Sequence, residues 1–249
     1  MLLTSSLLNS MSGVVHGFTT RHGGVSSPPY DTLNLAWDRG EEAKTRINWG
    51  RVSAEVGLPD CPVGVVHQVH GNRVVESSGN GDPLRAQADA DAIFCTRPGE
   101  LVAVRTADCV PILLAGPGGV AAVHAGWRGT AQGIGPSAVR TLCERLECRP
   151  SDLTAVIGPC IGLEAYEVGE EVVEGLASLL PENAFVSRTQ PRPHVDLKAA
   201  NRVLLEQEGV GLIDVLPQCT FSDSSFFSHR REGARTGRMA AVIGMVSPC

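Results

Sequence analysis

Three apolar runs follow one another between residues 101 and 125: LVAVRT, VPILLA and VAAVHA, separated only by ADC and by GPGG. Each has the length and aliphatic content of a strand, and the Gly, Pro and Asp between them form turns. A half-exposed strand alternates apolar with polar residues, whereas these are apolar almost throughout, so both faces are to be covered. That demands a sheet with layers on each side.

Amphipathic segments supply candidate layers. EEAKTRINWGRVSAEV, Glu41 to Val56, reads as a helix with Ile47, Val52 and Val56 on one face, ended by Gly57 and Pro59. TAQGIGPSAVRTLCERLE sets Ile134, Ala138, Leu142 and Leu146 four apart, with Thr130 as N-cap. GEEVVEGLASLL and DLKAANRVLLEQEG read as two further helices, the second closed by Gly209. Ala92 to Cys95, LTAVIGPCIG and VGLIDVLP read as short strands. The expectation is an α/β (α+β) chain of mixed β-sheets flanked by helices. No repeat or linker interrupts residues 1–249, so one domain is expected.

The same apolar runs end on chemistry. Cys109 lies in ADC, and His124 closes VAAVHA beside HAGWRG, where strand ends meet solvent and ligand. His70 lies upstream in HQVHGNRVV, within a β-rich run from Val63 to Val75. His67 and His70 are three apart and so would point to opposite faces of a strand. Gly71 and Asn72 break the strand directly after His70, which leaves His70 at its end and His67 packed or solvent-facing. Two imidazoles and one thiolate suit zinc and leave a coordination position open for water or substrate. Copper takes the same ligands, but the seven histidines of the chain are too few for a multicopper cluster. A metal-free reading makes Cys109 a nucleophile and His124 its base, with no task for a second histidine. Asp108 would orient an imidazole or cap the turn.

Anion-holding candidates are Arg21, beside Gly23 and Gly24 in a long ordered loop, and Arg128, just after His124. The basic segment from His229 to Arg238 reads as the tip of a hairpin between two β segments, or as an anion site. The eight cysteines include no CxxC pair and are expected mostly as buried thiols. A net charge of -6 gives no electrostatic reason to expect nucleic acid. The N-terminus lacks a basic n-region and no window reaches the apolar length of a membrane span, so a cytoplasmic chain with no membrane partner is expected.

The motifs HGFTTRHGGVS, LNLA, HQVHG, ADA, TADCVPILL, AAVHAGWRGT, IGPCIG and RREGARTGRMA run in this order over nearly the whole chain. As a set they resemble the family once called multicopper polyphenol oxidases or laccases, which includes the mammalian laccase-domain protein. The resemblance implies a fold related to bacterial toxin deamidase domains. It also implies a zinc centre that is the active site, on the histidine of QVHG, the cysteine of ADC and the histidine of VHAGWRG: here His70, Cys109 and His124. The implied activity is phosphate-dependent cleavage of purine nucleosides (adenosine, inosine, guanosine, 5'-methylthioadenosine), with adenosine deamination as a second reaction. Purine nucleosides and phosphate are then the partners of a monomer or small homo-oligomer. Arg21 and Arg128 become the first candidates to hold phosphate, Arg230 and Arg238 the next. Cys160, in GPCIG, falls near the pocket, as a packed wall or more. Other readings stay open: a hydrolase editing a peptidoglycan precursor, a polyphenol oxidase, or a non-catalytic zinc-stabilised binding protein.

Overall fold

The apolar runs fold where their pattern places them. The computed structural model describes residues 2–38 and 41–246, so Cys249, counted above with the thiols, lies outside it. The strands are β1 (Leu2–Leu3), β2 (Val14–Thr19), β3 (Val63–Val65), β4 (Val74–Glu76), β5 (Ala92–Cys95), β6 (Leu101–Thr106), β7 (Val110–Gly116), β8 (Gly119–Ala125), β9 (Thr154–Ile157), β10 (Val186–Ser187), β11 (His194–Val195), β12 (Leu212–Val215) and β13 (Met239–Met245). The helices are α1 (Ser6–Asn9), α2 (Glu42–Glu55), α3 (Trp127–Ala131), α4 (Ile134–Leu146), α5 (Glu170–Ala177), α6 (Leu197–Gln207) and α7 (His229–Glu232).

Among the described residues, a five-stranded sheet of order β1-β2-β13-β6-β3 packs on a six-stranded sheet of order β12-β9-β7-β8-β5-β4. Both sheets mix parallel and antiparallel pairs. The period of two sorts the apolar residues into layers. On β7, Leu113 and Ala115 join Val102, Val104 and Ile243 of the other sheet in the interior, while Ile112 and Leu114 pack against α4, α5 and α6. On β6, Val102 and Val104 face that interior, and Leu101 and Ala103 pack against α2. Four layers result, helix, sheet, sheet, helices, and this is why the central strands are apolar on both faces.

Four local expectations are corrected. In α2 the buried face is Thr45, Asn48, Trp49, Val52 and Ser53, while Ile47 is 51% exposed. Asn48 turns inward because its amide satisfies the loop that follows β2, donating to the Asn34 carbonyl at 2.9 Å and accepting the Val25 amide at 2.9 Å. Thr130 is no N-cap: it lies buried inside α3, accepting a hydrogen bond from Asn201 at 3.0 Å, and left-handed Gly133 separates α3 from α4. The basic C-terminal segment is no hairpin tip, because residues 229–235 form α7 and a 3-10 turn before β13. The 63–75 run is two short strands in different sheets, so His70 lies in the connection between β3 and β4 instead of at a strand end.

Candidate functional site

Two connections cross from the five-stranded to the six-stranded sheet at one rim: residues 66–73, between β3 and β4, and residues 107–109, between β6 and β7. The first carries His70 and the second Cys109, and β8 ends at the same rim with His124. Ligand atoms of the three residues lie within 4.8 Å of one another, and the His70 and His124 rings meet edge-on with centroids 4.9 Å apart.

A single carboxylate arranges two of the three. Asp91, fully buried just before β5, accepts the Val69, His70 and Gly71 amides at 3.2, 3.0 and 2.7 Å. These bonds hold the loop although His70 sits at φ +61, a left-handed conformation that costs a non-glycine residue roughly 1–2 kcal/mol. Asp91 Oδ1 also lies 2.8 Å from His124 Nδ1, which leaves His124 Nε2 to face the group. Burial would push the His124 imidazole down, but the Cys109 sulfur and the Asp91 carboxylate outweigh it and hold the pKa up at about 9. His70 is displaced the opposite way, by burial first and then by the charge of His124. Burial works to raise the Asp91 carboxyl, but His124 and the loop amides prevail and keep it below the usual carboxylate range. Asp108 orients no imidazole. At φ +92 it accepts the Thr220 hydroxyl at 2.6 Å, the Ser228 hydroxyl at 3.1 Å and the Arg230 amide at 2.7 Å, tying the Cys109 turn to the C-terminal segment.

The group can hold one metal ion. Its span is about twice a zinc-ligand bond of 2.0–2.3 Å, and the backbone is cut away beside it. A Cβ at Gly126 would stand 2.8 Å from His70 Nδ1 and 3.1 Å from Cys109 Sγ. The donor set, two imidazoles and a sulfur, suits zinc or copper.

The three residues line a cavity of about 610 Å³, together with Trp37, Tyr166, Gln68, His67, His229, Arg105, Arg230 and Arg238 among others. The arginines at the cavity are therefore not those put first. Arg21 lies elsewhere, in a separate pocket with Pro28, Pro29, Asp31, Glu232 and Arg235, and its Nη1 binds Glu232 at 2.7 Å. Arg128 lies over the Trp127 ring at 4.4 Å; its charge reaches His70, but it does not line the cavity. Cys160 is fully buried, its thiol pushed up by burial, and only its neighbour Ile161 reaches the cavity. Arg230 and Arg238 do line it, and Arg105 was missed. Its signal was its place as the one charged residue in LVAVRT. The Gln68 side chain pairs with the Arg105 backbone at 2.7 and 2.8 Å, and its guanidinium lies 3.2 Å from the Trp37 ring centroid. Asp91 was also missed, though it stands in the ADADA run directly before the strand expected at Ala92 to Cys95.

Fold and site together define an α/β protein with a histidine, cysteine, histidine group in the lining of an arginine-bearing cavity. The model of the family described as multi-copper polyphenol oxidoreductase laccase matches residues 15–246, and the chain belongs to that family. It is 42% identical over 236 residues to a purine nucleoside phosphorylase of Deinococcus radiodurans, covering 93% of this chain and 89% of that one. Purine nucleoside phosphorylase YfiH of Escherichia coli K12 is 38% identical, with 94% and 95% covered. The crystal structure of YlmD from Geobacillus stearothermophilus superposes with a TM-score of 0.88 at 37% identity, covering 94% of this chain and 93% of that one. That of the Neisseria meningitidis protein NMB0706 gives 0.86 at 35% identity, with 99% of each covered. No described helix is long and apolar enough to cross a membrane.

Proposed function

We propose that the chain, as one domain over its whole length, is a purine nucleoside phosphorylase that holds zinc on His70, Cys109 and His124 and deaminates adenosine as a second activity. The observation that carries this reading is the convergence of those three side chains on a cavity that also presents Arg105, Arg230 and Arg238. Relatives named purine nucleoside phosphorylase, at 38% to 42% identity, support it. Bound zinc supplies a fixed positive charge and Lewis acidity in the cavity.

The protein's own groups supply the rest. Phosphorolysis joins a phosphate oxygen to the sugar carbon while positive charge develops on the ribose, so the phosphate has to be gripped beside the sugar. Arginines grip phosphate through paired N–H donors, and Arg230 is anchored for this task by its bond to the Glu167 carbonyl at 2.9 Å and its position over the Tyr166 ring. Trp37 and Tyr166 bring aromatic rings to the cavity, each with an arginine over one face, Arg105 and Arg230, and a purine ring would stack on the other. Asp91 fixes the orientation of His124.

Inosine and phosphate are expected to give hypoxanthine and ribose 1-phosphate, with turnover absent without phosphate. It is lost on chelation and in His70→Ala, Cys109→Ala and His124→Ala. Ammonia release from adenosine reports the second activity. Full turnover by metal-free protein would remove zinc from the reading, and hydrolysis of inosine without phosphate would replace phosphorolysis.

A further inference from the structure

A second imidazole-carboxylate pair stands at the same cavity, outside the His70, Cys109, His124 group. His67 Nδ1 lies 2.9 Å from Asp89 Oδ1. Their backbones are locked together as well: the two residues form a parallel bridge, the His67 amide donates to the Ala88 carbonyl at 2.9 Å, and the Ala90 amide donates to the His67 carbonyl at 3.1 Å. One short segment thus orients two imidazoles, each through its own carboxylate, Asp89 for His67 and Asp91 for His124. Their settings differ. The His124 side chain is 4% exposed, within the metal group, whereas that of His67 is 62% exposed and lines the cavity. The bond to Asp89 occupies Nδ1, and among the described residues Nε2 makes no hydrogen bond.

Phosphorolysis has a need that the metal group and the arginines leave unmet. When the bond from C1' to the purine breaks, its electron pair departs with the base, and the base leaves far more readily once a ring nitrogen is protonated. Arginine does not give up a proton in proteins. Tyr166 is a poor acid here, because burial pushes its hydroxyl up to about 12. His229 also lines the cavity, but among the described residues it has no carboxylate partner comparable to Asp89. An imidazole held at Nδ1 by a carboxylate presents Nε2 as a proton donor.

Building on the phosphorylase reading, we propose that His67 is the general acid for the departing purine, with Asp89 as its positioning residue. The Nε2 proton passes to N7 of the base as the C1'–N9 bond breaks, and its electron pair leaves with the purine. A phosphate oxygen forms the new bond to C1'. The neutral imidazole regains a proton from solvent at the exposed rim of the cavity.

The test compares inosine with 7-methylguanosine, whose purine already carries the positive charge and leaves without being protonated. His67 is exposed, so His67→Gln is expected to fold and to keep its metal content. It should lose on the order of 10²-fold in kcat on inosine and keep wild-type kcat on 7-methylguanosine, with Asp89→Asn losing less on inosine and again nothing on 7-methylguanosine. Equal losses on both nucleosides, or none on inosine, would overturn the assignment. A wild-type protein that turns over neither nucleoside would overturn the phosphorylase reading itself, before any variant is compared.

Discussion

Asp91 Oδ1 and His124 Nδ1 lie 2.8 Å apart, and the same carboxylate carries the backbone of Val69, His70 and Gly71. One buried side chain therefore sets the ring orientation of one candidate ligand and the loop conformation of another. Asp91→Ala removes both supports and leaves three amides unpaired. Partners of this kind are worth about 10- to 100-fold in metal affinity, so chelator competition is expected to show a loss at or above that range. Asp91→Asn keeps an acceptor for the amides and should fall between the alanine variant and wild type. Unchanged metal affinity in Asp91→Ala would show that the group holds its shape without this carboxylate.

Gly126 gives a steric test of the same group. Its φ of -70 is open to any residue, so Gly126→Ala carries no backbone penalty. The added methyl would meet His70 Nδ1 at 2.8 Å and Cys109 Sγ at 3.1 Å. Both contacts are side-chain ends that can swing aside, so the fold should survive while the ligands separate. Expected is a Tm of metal-free protein close to wild type, together with metal affinity reduced by at least about 10-fold, or 1.4 kcal/mol.

These two residues also mark where the sequence stopped being legible. The strands at 92–95, 101–106 and 120–125 could be read because burial on both faces writes a continuous apolar run, a purely local signal. His70, Cys109 and His124 stood out through residue type and neighbouring glycines. Asp91 carries no such local mark, because its value comes from a loop some 20 positions upstream and a strand end more than 30 downstream. Arg21 was preferred to Arg230 because glycines beside it suggest an anion nest, whereas its partner, Glu232, lies at the far end of the chain. Ile47 was placed inward by hydrophobicity, which cannot register that Asn48 is wanted inside to satisfy a loop. Pairings across more than a hundred residues leave no periodic trace.

His16 makes stability depend on pH. The Ser5 amide donates to its Nε2 at 2.9 Å, which requires that nitrogen to be unprotonated, and burial pushes its pKa down from 6.5 to about 4. Between those values the unfolded chain binds a proton that the folded chain refuses, so stability rises with pH over this interval. The contribution is complete above pH 6.5 and is lost progressively as pH falls toward 4. Metal-free wild type should be about 2 kcal/mol less stable at pH 5 than at pH 7.5 on this account. His16→Gln keeps an acceptor for Ser5 but does not titrate, so urea unfolding should show a correspondingly smaller fall. Equal falls in the two proteins would remove His16 as the source.

Arg21 and Arg230 separate support from binding. Arg21 gives Nη1 to Glu232 at 2.7 Å and Nε to the Asp31 carbonyl at 2.9 Å, and its guanidinium lies 4.5 Å from the Phe227 ring centroid. Arg231 shares Glu232 at 2.9 Å, and the carboxyl is held below its usual range: burial works to raise it, while Thr236 and the two arginines prevail. Arg21 thus pins the loop after β2 to α7 and lines a pocket other than the cavity. Arg21→Gln removes one partner of Glu232 while Arg231 and Thr236 still hold it, which costs about 1 kcal/mol, and a slightly lower Tm with the KM for phosphate unchanged is the expected result. Arg230 lines the cavity, and its backbone, not its guanidinium, makes the structural bond to Asp108. Arg230→Gln keeps that bond and loses only the guanidinium's exposed contacts with the Glu167 carbonyl and the Tyr166 ring, so Tm should fall little while the KM for phosphate rises about 10-fold, the equivalent of one charge-assisted contact. If Arg21→Gln raised the phosphate KM and Arg230→Gln left it unchanged, the anion would sit at the Arg21 pocket and the cavity arginines would serve another part of the substrate.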